Sequence, residues 1–205
     1  MNLNRKNHWD TVYETKNPKE VSWTQDLPKT SLEIIRSFKL SKSAKIIDVG
    51  GGDSKLVDYL INEGFENITV LDISITALEK AKMRLGEKAS KVNWIVADIT
   101  EFEPKIAYDV WHDRATFHFL TTPNEMHKYI AIAKKSVTGY LVIATFSDNG
   151  PKQCSGLNIK QYSETQLALA LENGFDKIRC LTEDHVTPFN TKQNFIFCAF
   201  KRDKS

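Results

Sequence analysis

The residues best suited to chemistry gather around one glycine turn. Gly50-Gly51-Gly52 follows the apolar run Lys45-Ile46-Ile47-Asp48-Val49, and Asp72 lies 20 positions beyond Gly52 at the end of a second apolar run. In an open α/β sheet, glycines after the first strand let a ligand approach the backbone, and an acidic residue closing the second strand accepts both hydroxyls of a ribose. A tight strand-to-helix turn without a ligand is the plainer reading of the same glycines. A dinucleotide fingerprint, G-x-G-x-x-G, calls for glycine at position 55, where this chain has Lys55. Asp48, two positions before Gly50, would repel phosphate but attract an ammonium group. The pattern selects an adenosine ligand with an ammonium and no phosphate, a description that S-adenosylmethionine fits.

A second set of candidates lies in Val110-Trp111-His112-Asp113-Arg114-Ala115-Thr116-Phe117-His118-Phe119. Arg114 would steady an anionic acceptor or depress the pKa of a thiol, while Phe117 and Phe119 would wall a small apolar cavity around it. An ion pair between Asp113 and Arg114 at a strand end is the structural alternative. His112, with an ordinary pKa near 6.5, is neutral enough at pH 7 to act as a base. His112 and His118 are six apart, not at the i, i+4 spacing of a helical zinc pair, so no metal is expected. Cys154, between Gly150-Pro151 and Gly156, and His185, before Thr187-Pro188-Phe189, are placed to border the acceptor. A half-buried thiol in a turn and a turn-stabilising histidine explain them equally well.

Elements must position these residues. From Lys45 onward, short β-branched runs alternate with amphipathic ones, the pattern of repeated βα units. Strands are predicted at Lys45 to Val49, Ile68 to Leu71, Val92 to Val96, Tyr108 to His112 and Tyr140 to Phe146. A final pair follows around Lys177 to Leu181 and Asn194 to Phe200. Ser74, Thr122 and Ser163 read as helix caps, as does Thr30 in Thr30-Ser31-Leu32-Glu33, and Gly139 reads as the stop before the fifth strand. The first thirty residues, with Trp9, Tyr13 and Trp23 among polar neighbours, read as a partly helical lid. The result is an α/β, doubly wound, mostly parallel seven-stranded sheet of Rossmann-like type with an antiparallel C-terminal hairpin and an N-terminal helical lid. Residues 1–205 are one unit, with lid and helix over 1–40 and core over 45–200.

Composition narrows the class. The chain has 205 residues with 41% hydrophobic and 26% charged, ordinary values for a domain with a real core. Its net charge is +2 with no basic block, which argues against nucleic acid as partner. Cys154, Cys180 and Cys198 are too few for a disulfide scaffold, so Cys180 and Cys198 are expected in the core and a reducing compartment is expected. Met1 to Asp10 is polar with no apolar stretch behind it, so neither a signal peptide nor a membrane anchor is expected, and the location expected is cytoplasmic.

With these residues in place, the chain resembles the class I S-adenosylmethionine-dependent methyltransferases. Asp48-Val49-Gly50-Gly51-Gly52 is similar to that family's first motif. Asp72, with Ile73 beside it, resembles its ribose-binding acid, and Ala97-Asp98-Ile99 resembles the segment that holds adenine. Asp113-Arg114-Ala115 and the stretches His8-Trp9-Asp10 and Val21-Ser22-Trp23-Thr24-Gln25 resemble the thiopurine S-methyltransferases and related small-thiol methyltransferases. That resemblance implies that Trp9 and Trp23 cover the cofactor; Trp9, Arg114, Phe117, His118, Cys154 and His185 are the residues expected around a small acceptor. Thiol or sulfide methylation is the expected activity, managed by Arg114, His112 and Asp113. Protein lysine or other N-methylation is the alternative, and a non-catalytic adenosine-ligand binder is a second.

Overall fold

Five β-branched runs form parallel strands: β1 (Lys45–Val49), β2 (Asn67–Asp72), β3 (Val92–Val96), β4 (Tyr108–Arg114) and β5 (Val137–Phe146). These strands are seen in a computed structural model that describes residues 3–203. A two-stranded ribbon, β6 (Gln153–Cys154) and β7 (Leu157–Asn158), interrupts the loop that follows. The hairpin of β8 (Phe175–Val186) and β9 (Lys192–Arg202) completes a seven-stranded sheet ordered β3-β2-β1-β4-β5-β9-β8, with β9 antiparallel to both neighbours. The chain steps outward from β1 to β3 and returns to β4 beside β1, so the order reverses between β1 and β4. Ligands of open α/β sheets bind beyond the carboxyl ends of the strands at such a point.

Alternation along the strands sends apolar side chains to both faces. Ile46, Ile68, Val70 and Val110 pack under α2 (Lys29–Ser37), α3 (Leu56–Asn62) and α4 (Ile75–Leu85). Ile47, Val49, Leu141 and Ile143 pack under α5 (Pro123–Ser136) and α6 (Glu164–Leu171). Ser74 caps α4 by accepting from Ala77 N at 3.1 Å, and Thr122–Glu125 and Ser163–Gln166 form capping boxes, all as predicted. Thr30 is not a cap. The helix starts at Lys29 after Pro28, and the Thr30 hydroxyl crosses to donate to Glu183 on β8, a bond to a carboxylate in place of a local cap.

Gly139 does not end a helix either. The chain turns from α5 straight into β5 at Val137, and Gly139 lies within the strand where a Cβ would meet Asp109 O at 2.4 Å. The cysteine expectation is corrected as well. Cys180 and Cys198 stand directly opposite on β8 and β9 and form a disulfide, with Cα atoms 4.1 Å apart. Residues 18 apart in sequence meet because the hairpin is antiparallel, and the bond removes the support that cysteine usage gave to a reducing compartment. Among the described residues no helix is long and apolar enough to cross a membrane.

The N-terminal segment contains α1 (Leu3–Thr15), a short 3₁₀ turn at Pro18–Glu20, and an irregular strap leading to α2. Asp10 docks α1 on the start of α4, where it accepts from Ser74 Oγ at 2.6 Å, and Arg5 pairs with Glu125 on α5 at 2.5 Å. Helix and strap thereby lie over the carboxyl ends of the strands.

Candidate active site

Beyond the reversal point opens a cavity of about 1140 Å³. Its floor is the glycine turn. Gly50 has φ +64°, and a Cβ there would meet Thr116 Oγ1 at 1.7 Å, so both conformation and space require glycine. At Gly51 a Cβ would meet Asp48 Oδ2 and Val70 Cγ1, each at 2.7 Å. Gly52 backs the cavity without lining it, because Tyr13 Oη would lie 2.7 Å from its Cβ and covers it.

Asp72, Ile73, Asp98 and Ile99 line the same cavity. Asp72 is 6% exposed, and its Oδ1 accepts from Ser74 N at 2.8 Å. Burial, reinforced by repulsion from Asp48 and Asp10, pushes its pKa up to about 7 despite backbone donors at Ser74 and Gly52. Asp98 Oδ1 is oriented by Thr100 N at 2.9 Å and Thr100 Oγ1 at 2.8 Å. The buried Asp72 carboxylate, over a floor that admits no side chain, suits hydroxyl donors rather than phosphate.

Tyr13 is the residue that sequence reasoning left in the lid and out of the site. Its hydroxyl accepts from the Trp23 side chain and faces Asp72, and burial together with the Asp72 charge raises its pKa. Its spacing of four from Trp9, which puts both on one face of α1, was the available signal. Trp9 packs edge-on against Trp23 at 5.6 Å and Phe119 at 5.1 Å, and all three line the cavity, so the strap and the segment after β4 share one aromatic wall.

Arg114 faces this wall. Its Nη1 donates to Trp23 O at 3.0 Å and its guanidinium lies over the Phe195 ring at 4.7 Å. Its Nε and Nη2 are buried with no hydrogen-bond partner. Burial lowers its pKa to about 10, opposed by the charges of Glu183 and Asp48, so it remains a cation at neutral pH. Ala115, next in the chain and also lining the cavity, is held at φ +72°, a strained value for alanine.

Other expected site residues have different places. Asp113 neighbours Arg114 on a strand, so it points to the opposite face. There it is fully buried and accepts from Thr116 N at 2.9 Å, Phe117 N at 3.2 Å and Tyr129 Oη at 2.7 Å. It neither pairs with Arg114 nor reaches the cavity, and its role is to hold the turn after β4. Phe117 is in the core beneath α5. His118, also outside the cavity lining, stacks on Phe146 at 4.6 Å, and burial lowers its pKa to about 3. His112 does line the cavity, but Nδ1 is bonded to Asp48 Oδ1 at 2.7 Å and Nε2 to Ser31 Oγ at 2.9 Å. With both ring nitrogens engaged it has none to offer as a base; Asp48, whose Oδ1 it holds, also lines the cavity.

Cys154 and His185 also line the cavity. Burial pushes the Cys154 thiol up to about 11, against the pull of Arg114, so it is a neutral thiol rather than a nucleophile. His185 Nε2 donates to Ser22 O at 2.7 Å, tying β8 to the strap. The Asp113 network yields a stability prediction. Tyr129→Phe removes the donor to Asp113 and the acceptor of Trp111 Nε1, which bonds Tyr129 Oη at 2.9 Å. Thermal denaturation should show a loss of about 1–3 kcal/mol.

Comparison with known proteins agrees with this geometry. Residues 46–139 match the family described as a methyltransferase domain. A malonyl-[acyl-carrier protein] O-methyltransferase of Anoxybacillus flavithermus is 33% identical over 105 residues, covering 50% of this chain and 39% of that protein. The mouse EEF1A lysine methyltransferase 2 is 26% identical over 125 residues, covering 56% of this chain and 51% of that protein. This chain thus spans about half or less of the length of these relatives. Over the whole fold, the crystal structure of an S-adenosylmethionine-dependent methyltransferase from Anabaena variabilis superposes with a TM-score of 0.76 at 12% identity, covering 99% of this chain and 96% of that one. Residues 46–139 are therefore similar to a methyltransferase domain, and the chain as a whole has the fold of that S-adenosylmethionine-dependent methyltransferase.

Proposed function

We propose that this protein transfers a methyl group from S-adenosylmethionine to a small anionic acceptor, with a thiolate or sulfide as the favoured acceptor atom. When bound, the cofactor supplies an electrophilic methyl group on a sulfonium. Gly50 and Gly51 would let it lie against the backbone, Asp72 would take its ribose, and Ile73, Asp98 and Ile99 would hold its base. The observation that carries the acceptor reading is Arg114, a buried cation whose Nε and Nη2 have no hydrogen-bond partner. Such a charge is costly unless an anion meets it. A thiol, with an ordinary pKa near 8.5, ionises more readily beside it and then needs no base. The aromatic wall of Trp9, Trp23 and Phe119 excludes water and favours a small acceptor over a protein chain.

A carboxylate is the second reading, favoured by the same arginine and by the O-methyltransferase among the relatives. Lysine methylation is supported less well, since an ammonium would face Arg114 and must lose a proton for which His112 has no free nitrogen. Methyl-labelled cofactor offered to hydrosulfide, small thiols, short carboxylates and lysine peptides tests the proposal. Label on thiols or sulfide is the expected result. Label on peptides alone, or none despite measurable cofactor binding, would overturn it, the latter favouring a non-catalytic binder.

A further inference from the structure

The rim of the cavity carries exposed apolar side chains. Leu27, Val186 and Phe189 are 48%, 54% and 55% exposed. Leu27 and Val186 line the cavity together with Val21, Pro28 and Pro188, and Phe189 follows Pro188 in the β8–β9 turn. These side chains are on anchored backbone. Thr187 N donates to Thr191 O at 2.8 Å and the two threonine hydroxyls share a bond of 2.7 Å. The strap is fixed to β8 by Ser22–His185, and α2 by Thr30–Glu183. Exposed apolar residues that rim a pocket mark a ligand contact more often than isolated ones do. A site for one drug-sized ligand has a volume of about 300–1,000 Å³, and the cavity of about 1140 Å³ exceeds it.

Taking Arg114 as the seat of the acceptor's charge, the reading on which this inference rests, we propose that the acceptor is amphipathic. Its anionic head lies against Arg114, and an alkyl or aryl tail leaves through the mouth across Leu27, Val186 and Phe189. A polar tail would lie on apolar side chains and gain nothing from them, whereas an apolar tail buries both surfaces at once.

Straight-chain carboxylates from acetate to decanoate test this without turnover, through the fluorescence of Trp9 and Trp23 in protein saturated with S-adenosylhomocysteine. The dissociation constant should fall about fourfold per methylene once the chain reaches the mouth, the fold-change equivalent to about 0.8 kcal/mol. In Val186→Ser/Phe189→Ser the slope should drop below about twofold; Phe189→Ser alone serves if the double variant lowers the melting temperature. Affinity independent of chain length, or a slope that the substitutions leave intact, overturns the tail site. A flat slope combined with loss of self-association in the double variant makes the mouth a protein contact and also overturns it. Binding with the expected slope but no acceptor labelled leaves the tail site standing while the methyl-transfer reading fails. Labelled thiols with no chain-length dependence give the converse.

Discussion

Asp72→Ala is expected to weaken S-adenosylhomocysteine binding by at least tenfold in titration calorimetry, since a carboxylate holding two ribose hydroxyls makes two charge-assisted bonds. A pH dependence accompanies it. The Asp72 carboxyl, raised by burial to about 7, is largely protonated at pH 6 when the cavity lacks a ribose, whereas ribose hydroxyls donate best to its ionised form. Binding should therefore release a proton below pH 7, and affinity should fall about tenfold from pH 8 to pH 6. In Asp72→Asn the affinity should be weak and flat over that interval. Stability has the opposite sign. A carboxyl whose folded pKa lies above its ordinary 3.8 binds more protons folded than unfolded between those values, so its burial costs stability progressively as pH rises from about 4 to 7. At pH 8 and without ligand, Asp72→Asn should melt no lower than the parent. Lower melting in the variant would mean that Asp72 is a structural carboxylate.

Arg114→Met should reduce kcat at saturating thiol about 10–100-fold at pH 7, because the bound thiol then lacks the neighbouring cation that lowers its pKa. The guanidinium is a cation below about pH 10 and an ordinary thiol ionises near 8.5. The ratio of parent to variant should accordingly be largest at neutral pH and shrink as the medium ionises the thiol, approaching unity above pH 10. A ratio constant from pH 7 to pH 10 would assign Arg114 to positioning alone. For a carboxylate acceptor, already ionised at pH 7, the ratio should stay constant until Arg114 itself titrates, so the profile also separates the two acceptor classes.

The fold was legible because local signals agreed with one another: β-branched runs, glycine breaks and three of four caps all described one βα succession. Thr30 failed as a cap because its partner, Glu183, is 153 positions away. The places of Gly50 and Asp72 on the cavity were legible for the same reason, since both follow from the ends of β1 and β2. The segment after β4 was read less well. Ending β4 at His112 instead of Arg114 hid the alternation that turns Asp113 into the core and Arg114 toward the cavity. The engagement of His112 by Asp48 and Ser31 depends on strand register and on the docking of α2, which no local pattern encodes. The Cys180–Cys198 bond likewise depends on the register of a hairpin whose turn gives no unique pairing.

A crystal structure of the protein with S-adenosylhomocysteine tests the central claim most directly. It should show both ribose hydroxyls on the Asp72 carboxylate, the ligand backbone over Gly50 and Gly51, and its sulfur on the side of the cavity that Arg114 faces. A ligand whose ribose lies away from Asp72, or a cavity that stays empty at saturating concentration, would contradict it.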